Sequence, residues 1–285
     1  MSTALKTFVP AFVAITLTAS ICTQDETAQK PGATKHTEWP TLKKAVIGRV
    51  RALTKQYRKP KVELHEAATA KLIKIGAGAA PVLIPLINDR SESVNEHLFA
   101  VLDANIDKSH AALLAREASR PSVEWRRYLT KKLAGFHDKD LLPVLKSALK
   151  DKDLDIQFYA GLGLLALGKQ DGLDTVMLAA KQRWAKFGTI TAQVLPAGRS
   201  AQCSLKVFEK IAAARPTDQM AGLRLLRYLM VKEQGMLLRR YLESADFTVK
   251  REAINTARVV HGEKPLKKLS SFQAIDLAKK WLQKL

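Results

Sequence analysis

The stretch LLPVLKSALKDKDLDIQFYAGLGLLALG at residues 141–168 decides the fold. In its first half, leucine, valine and alanine recur at spacings of three and four, which predicts a helix with one apolar side over residues 141–149. Pro143 lies in the first turn, where its missing N–H is not needed. An acidic turn follows, and either Asp151 or Asp153 can cap a second helix over residues 154–167, which Gly168 is placed to end. The stretch therefore predicts a helical hairpin.

This hairpin pattern recurs along the chain. In three hairpins the last apolar residue of the first helix precedes the first apolar residue of the second by seven positions, at residues 87 and 94, 149 and 156, and 242 and 249. Anchors at a step of 31 residues are Gln56, Ile87, Ala118, Leu149, Ala180, Ile211 and Leu242. A single hairpin cannot bury its own apolar side, and stacking on similar neighbours solves that problem. The sequence therefore predicts an all-α fold of about seven helix pairs.

Two segments resemble the HEAT and HEAT-like repeats of the PBS-lyase type: IGAGAAPVLIPLI at residues 75–87, and residues 141–168. The resemblance covers roughly residues 41–261. It implies a right-handed α-solenoid that acts as a scaffold or binding surface. Because a few related arrays are enzymes or DNA-repair proteins, a lyase or glycosylase remains the alternative.

The same periodicity predicts the other helix bounds. The remaining regular pairs are 41–57 with 62–75, 79–87 with 92–104, 109–119 with 123–136, 201–214 with 218–231, and 234–242 with 248–260. In the fifth pair, residues 173–187 are predicted helical, whereas GTITAQVLPAGRS at 188–200 predicts a short helix and a loop. Residues 188–195 are also the one strand-like run. A final helix over 271–285 is expected to cap the repeat domain, which spans 39–285.

The N-terminus has the pattern of a secretory signal. Residues 1–22 carry Lys6 as their one charge, then an apolar run and small residues, and the run is too short for a comfortable membrane span. We therefore expect an exported protein, periplasmic or extracellular. Cys22 raises the alternative of a lipid anchor, which Ile21 disfavours. The polar residues 23–38 predict a disordered linker, with folding beginning at Trp39.

Charge is the strongest compositional feature. The chain has 47 basic and 27 acidic residues, for a net charge of +20. The surplus is concentrated in residues 23–60, 181–216 and 251–285. Such a surface attracts polyanions, whether nucleic acid, acidic polysaccharide or an anionic surface. The alternative is a solvated face that only keeps the protein soluble.

No catalytic or metal-binding motif is complete. His65-Glu66 begins a zinc-protease motif, but Thr69 stands where the second histidine belongs. The six histidines and two cysteines show no ligand spacing, and the Gly76 segment lacks the Lys-Ser/Thr of a phosphate loop. We therefore predict no catalytic residue, no metal and no cofactor. The cluster around Trp125 is the one site that resembles a HEAT-like glycosylase, although Trp125 is better explained as a packing residue.

The expected activity is binding. In HEAT arrays the second helices usually line the concave side, where residues nine and thirteen positions after each anchor project. The resulting contact residues are the cations Arg127, Lys131, Arg224, Arg251 and Arg258, with Phe158 and Leu162 as apolar anchors. A basic groove with an apolar middle suits a protein or peptide partner. The alternative for Phe158 and Leu162 is a central helix that is buried on all sides.

Overall fold

The computed structural model describes residues 35–285, which form helices and turns without a strand. The predicted all-α class is confirmed. The described residues form the helices α1 Lys44–Thr54, α2 Val62–Ile75, α3 Ala80–Leu83, α4 Glu92–Asn105, α5 Ala111–Ala115, α6 Val123–Ala134, α7 Leu142–Ala148, α8 Leu154–Ala166, α9 Leu173–Gln182, α10 Trp184–Val194, α11 Ala201–Ile211, α12 Pro216–Leu229, α13 Arg239–Leu242, α14 Phe247–Val260 and α15 Ser271–Lys284.

The helices pack both within and between the predicted pairs. α7 packs on α8, α11 on α12 and α13 on α14, while α2 packs on α4, α6 on α8 and α12 on α14. The buried apolar residues form an N-terminal cluster around Leu98 and Trp125 and a C-terminal cluster around Phe158 and Leu225. Helices α6 and α8 contribute to both clusters, so the central hairpin joins the two halves of the core.

The central hairpin begins and ends where the sequence predicts. The Asp153 carboxylate accepts hydrogen bonds from the backbone N–H groups of Asp155 and Ile156, at 3.0 and 3.1 Å. Gly168 follows α8 with φ of +73°, a left-handed conformation that costs glycine little. The next N–H, of Lys169, donates to the carbonyl of Leu164 at 2.8 Å. Both ends of α8 therefore have their backbone groups satisfied.

The fifth pair differs from the prediction. α9 ends at Gln182, earlier than predicted, and residues 184–187 join the predicted short helix to form the 11-residue helix α10. The strand-like run at 188–195 is therefore helical up to Val194. Phe187 stacks on Phe158 with ring centroids 4.0 Å apart, and the Thr191 hydroxyl donates to the Phe187 carbonyl at 2.8 Å. Packing against α8 outweighs the weak helix propensity of these β-branched residues.

Several first helices are shorter than predicted. α3, α5 and α13 have four or five residues each and are extended by 3-10 turns. Pro85 lies in the turn Ile84–Leu86 after α3, where its ring and missing N–H oppose a continued α-helix. No single helix within residues 35–285 is long and apolar enough to cross a membrane. The pair Val62–Ile75 and Ala77–Leu86, bent by 107°, passes that test together by length and composition.

The N-terminal arm is ordered earlier than predicted. The predicted signal at 1–22 and most of the predicted linker lie outside the described residues, but residues 35–38 are held against later helices. The His36 N–H donates to the Ser109 carbonyl at 2.9 Å, and Arg116 donates to the Thr37 carbonyl at 3.1 Å. The His36 ring also stacks on His110 at 4.4 Å. Lys35, His36 and Thr37 therefore already contact the helical part of the chain, before the boundary predicted at Trp39.

Two glycines set the distance between α8 and α9. A Cβ atom placed on Gly172 would lie 2.2 Å from the Cα atom of Gly161, well inside van der Waals contact. The atoms that it would meet are backbone, which cannot move aside as a side chain can. α9 therefore approaches α8 at a distance that no other residue at position 172 permits.

We expect Gly172→Ala to destabilise the protein by about 1–3 kcal/mol, the usual cost of overpacking. Thermal unfolding followed by circular dichroism measures it. The control is Gly48→Ala in exposed α1, where nothing lies within 4 Å of the added Cβ. That variant should stabilise by about 0.5–1 kcal/mol, because alanine loses less backbone entropy in a helix. Equal melting temperatures for the two variants would contradict the close approach.

Candidate partner-binding site

The structure places the predicted apolar anchors in the core. Phe158 is 1% exposed and Leu162 is fully buried. α8 has one charged residue, Asp155, and is covered by α6, α7, α9 and α10, so most of its side chains serve packing. The interpretation of Phe158 and Leu162 as contact residues is corrected, and the alternative of a helix that is buried all round describes α8.

Arg127 lies on α6 and is neutralised by its neighbours. Its Nε and Nη2 atoms donate to the two Asp153 oxygens at 3.1 and 2.5 Å, and Nη1 donates to Glu124 at 2.6 Å. The hydrogen bonds to Asp153 contribute most to raising the pKa of Arg127, and the negative charges of Asp153 and Glu124 raise it further. Two carboxylates against one guanidinium leave this part of the face without surplus positive charge. Lys131, one turn further along α6, is exposed and has no acidic partner within the described residues.

The charged band continues across α8 to α10. The carboxylate of Asp155, on α8, pairs with Arg183 Nη2 at 2.7 Å and with the Lys186 ammonium. Both cations lie over the Phe187 ring, at 4.8 and 5.3 Å from its centroid. The middle of the predicted binding face is therefore a network of internal ion pairs.

Two predicted contact residues, Arg224 and Arg251, meet at the carboxylate of Glu252, which also pairs with a third arginine, Arg227. Arg224 Nη2 lies 3.6 Å and Arg251 Nη2 lies 3.3 Å from Glu252 Oε1, while Arg227 pairs with Glu252 Oε2. We call Arg224, Arg227, Arg251 and Glu252 the arginine cluster. α12 supplies the first two residues and α14 the last two, and these helices pack directly on each other.

Charge in the arginine cluster is unbalanced. One buried carboxylate faces three guanidinium groups, and the Nε atoms of Arg224 and Arg227 are buried without an acceptor in the described part of the chain. Burial lowers the pKa of Arg227 to about 10, so the group is still charged at neutral pH. The Trp184 ring lies 5.4 and 5.8 Å from the two guanidinium carbons. The Arg251 side chain is 32% exposed and connects the cluster to solvent.

Such an arrangement can hold an anion. Guanidinium groups bind carboxylate and phosphate oxygens through paired N–H donors, and partial burial strengthens these bonds. It cannot supply a general base, because its one carboxylate is already held by three cations.

Arg258 has a different role from the one predicted. Its Nε donates to the Lys264 carbonyl at 2.9 Å, and its Nη1 pairs with Glu263 at 2.8 Å. Asn255, one turn earlier on α14, contacts the same segment after the helix, because the Leu266 N–H donates to Asn255 Oδ1 at 2.7 Å. Both side chains therefore fasten the segment between α14 and α15, and Arg258 is committed to that structural contact.

The sequence analysis missed Arg227, Glu252 and Trp184. Arg224 and Arg227 are three residues apart, a spacing that places both on one side of a helix. The rule that selected the residues nine and thirteen positions after each anchor takes one residue per turn. It therefore included Arg224 and left out Arg227. Trp184 gave no signal, because the sequence did not predict that α10 begins there.

The lyase alternative predicts a pocket that holds a carboxylate near residues 188–200. A depression of about 330 Å³ includes residues 197–200 and is lined by Lys139 and Arg199 with no acidic side chain. Trp125 is fully buried, and its indole N–H donates to the Glu117 carbonyl at 2.9 Å, as expected of a packing residue. Within residues 35–285, no three histidine, cysteine or acidic side chains are grouped to hold a metal ion.

Comparisons with known proteins give little further guidance. No protein-family model matches the chain, and no curated protein does. Among solved structures, human deoxyhypusine hydroxylase in complex with glycerol gives a match. The two chains are 14% identical over 84% of this chain and 96% of that one, with a TM-score of 0.34. At this level the likeness says nothing about activity, and the HEAT resemblance stays a prediction from the sequence.

Replacing Glu252 tests the charge balance of the arginine cluster. We expect Glu252→Gln to cost about 3–5 kcal/mol, because it leaves buried guanidinium groups without their counter-charge. Urea unfolding measures the loss. The control is Glu243→Gln, which removes a 50% exposed carboxylate from an ion pair with Arg239 and should cost less than about 1 kcal/mol. A similar loss in both variants would mean that burial of the cluster does not matter.

The Arg127–Asp153 pair predicts acid sensitivity. Hydrogen bonds from Arg127 and from the α8 backbone lower the pKa of Asp153 below its ordinary 3.8. Its stabilising contribution is therefore fully present above that unfolded value and is lost as pH falls through the lower folded value. Asp153→Asn keeps a capping side chain but removes the charge. The stability gap to the parent protein should be constant above about pH 5 and shrink below about pH 4.

Urea midpoints at several pH values measure this gap. Asp276→Asn, at an exposed position of α15 without an ion-pair partner within the described residues, is the control and should show no gap at any pH. A gap for Asp153→Asn that does not change with pH would show that the carboxylate charge contributes nothing.

Proposed function

We propose that this protein is an exported α-solenoid of about seven HEAT-like helix pairs, and that it binds a protein partner without catalysing a reaction. The arginine cluster is the proposed contact, where an acidic side chain or terminal carboxylate of the partner is recognised. The observation that carries the proposal is the surplus of two positive charges over Glu252, together with two buried Nε donors that have no acceptor among residues 35–285.

The distribution of charge favours a protein over a continuous polyanion. A nucleic acid or polysaccharide presents charge at regular intervals and needs a continuous row of cations. Along the predicted face, Glu124, Asp153 and Asp155 lie between the cations and already occupy them. A phosphate backbone along that face would meet these carboxylates, whereas a single acidic group at the arginine cluster would not.

Polyanion binding remains the second candidate. Residues 1–34 contain two basic and two acidic residues, so residues 35–285 carry the whole net charge of +20. That charge supports long-range attraction of any acidic polymer. The two candidates differ in their salt dependence, which is steep for a polymer that releases many counterions.

Site-specific photo-crosslinking in the native host separates the candidates. A photoreactive residue at half-buried Thr248, one turn before Arg251 on α14, reports on the side of the cluster, and one at exposed Lys206 on α11 is the positional control. We expect one protein to be captured from the exported fraction at position 248 and not at 206. Capture of nucleic acid or acidic polymers only, lost at high salt, would overturn the protein-partner proposal.

The arginine cluster should control this capture. We expect Arg251→Glu to weaken binding of the captured protein about tenfold or more, which corresponds to about 1.4 kcal/mol. Arg239→Glu changes net charge equally at a 61% exposed side chain of α13 and should have little effect. Titration of each purified full-length variant with that protein, followed by fluorescence anisotropy, measures the difference. Equal weakening by both variants would assign the effect to overall charge.

A further inference from the structure

A second surface lies at the other end of the described chain. A groove of about 470 Å³ runs between α1 and the segment from α3 to the beginning of α4. We call it the N-terminal groove. Arg51, Lys55 and Arg58 line one side, and Asn88 and Ser91 line part of the other. The remaining lining is mostly apolar and comprises Ile47, Pro81, Val82, Pro85, Leu86, Val94 and Leu98, with Thr54 beside Lys55.

The cations of this groove are not neutralised. Residues 43–61 contain eight basic residues and no acidic one, and all eight are exposed. None of them forms an ion pair within the described part of the chain, in contrast to Arg127 and Arg183 in the middle. Arg51, Lys55 and Arg58 are spaced by four and three residues, which places them on one side of the helix and its 3-10 extension.

The apolar lining of the groove is accessible. Leu86 is 37% exposed, Pro81 and Pro85 are exposed, and Val82 and Val94 are half-buried. Covering such side chains stabilises a complex by about 25 cal/mol for each Å² of apolar surface removed from water. The N-terminal groove therefore offers both apolar contact and a row of positive charge along one edge.

We propose that the N-terminal groove binds an acidic amphipathic segment of a partner protein. Its apolar side chains contact Val82 and Leu86, and its carboxylates pair with Arg51, Lys55 and Arg58. The row of unneutralised cations selects acidic residues by charge complementarity. This contact is separate from the arginine cluster, and either site functions without the other.

The shape and composition of the groove argue against the other anionic partners. Proteins that bind single-stranded nucleic acid stack bases on aromatic side chains, and the groove lining contains none. A bilayer surface is broad and does not enter a groove between two helical elements. A peptide segment enters the groove and reaches both the apolar lining and the cations, as in helix-in-groove recognition.

A random peptide-display library, panned on the immobilised full-length protein, tests the proposal. We expect enriched peptides to combine Asp or Glu with Leu, Ile or Phe at helical spacing. A representative synthetic peptide is then titrated into each protein variant, alongside a single-stranded oligonucleotide and vesicles containing phosphatidylserine. Enrichment without acidic residues would overturn the proposal, as would groove-dependent binding of only the oligonucleotide or the vesicles.

Matched variants locate the binding. Arg51→Glu with Arg58→Glu should weaken peptide binding about tenfold or more, and Leu86→Asp should also weaken it. Lys71→Glu with Lys74→Glu changes net charge equally at exposed positions of α2 outside the groove lining and should leave affinity within about twofold. Arg251→Glu should also have no effect, which distinguishes failure at this groove from failure at the arginine cluster. Equal loss in the two double variants would overturn the proposal.

Discussion

The structure depends on the burial of α8, a helix whose one charged residue is Asp155. Ten of the thirteen residues of α8 are buried, and the helix contributes to both apolar clusters of the core. This burial is possible because Asp153 and Gly168 satisfy the ends of the helix, and because Gly161 lets α9 approach at backbone distance. Without α8, both apolar clusters lose buried contacts. The remaining helices are arranged around this constraint.

Burial of α8 also explains the charge distribution. The carboxylates at its N-terminus, Asp153 and Asp155, are largely covered, and a covered carboxylate needs a partner. Arg127, Arg183 and Lys186 supply these partners, and their positive charge is therefore neutralised. The cations of α1 face no such carboxylates among residues 35–285, and the arginine cluster keeps its surplus because one carboxylate, Glu252, faces three arginines. The strong net charge of the chain is thus concentrated at sites away from α8.

The sequence predicted the helices better than the site. The bounds of α2, α8 and α14 were within one residue, because their apolar periodicity, caps and glycines all agree. A short helix was predicted within residues 188–200, but α10 begins earlier, at Trp184. Its extent depends on the contact of Phe187 with Phe158, a tertiary interaction that local propensity does not contain. Phe158 and Leu162 were misplaced for a related reason. Periodicity identifies one apolar side, but it does not show that a helix of low charge is covered on every side.

The predicted cations show a second limit of sequence reasoning. Arg127, Arg251 and Arg258 are alike in the sequence, yet their surroundings differ. Arg127 faces two carboxylates, and Arg251 shares one carboxylate with other arginines. Arg258 faces one carboxylate and a backbone carbonyl. Whether a cation is available to a partner depends on these neighbours, most of which come from another helix or from a loop. A row of basic residues without any acidic neighbour, as in residues 43–61, is the exception, because no acid nearby in sequence can neutralise it. For these residues, composition alone indicated positive charge that a partner can reach. The structure adds the apolar lining of the N-terminal groove beside them.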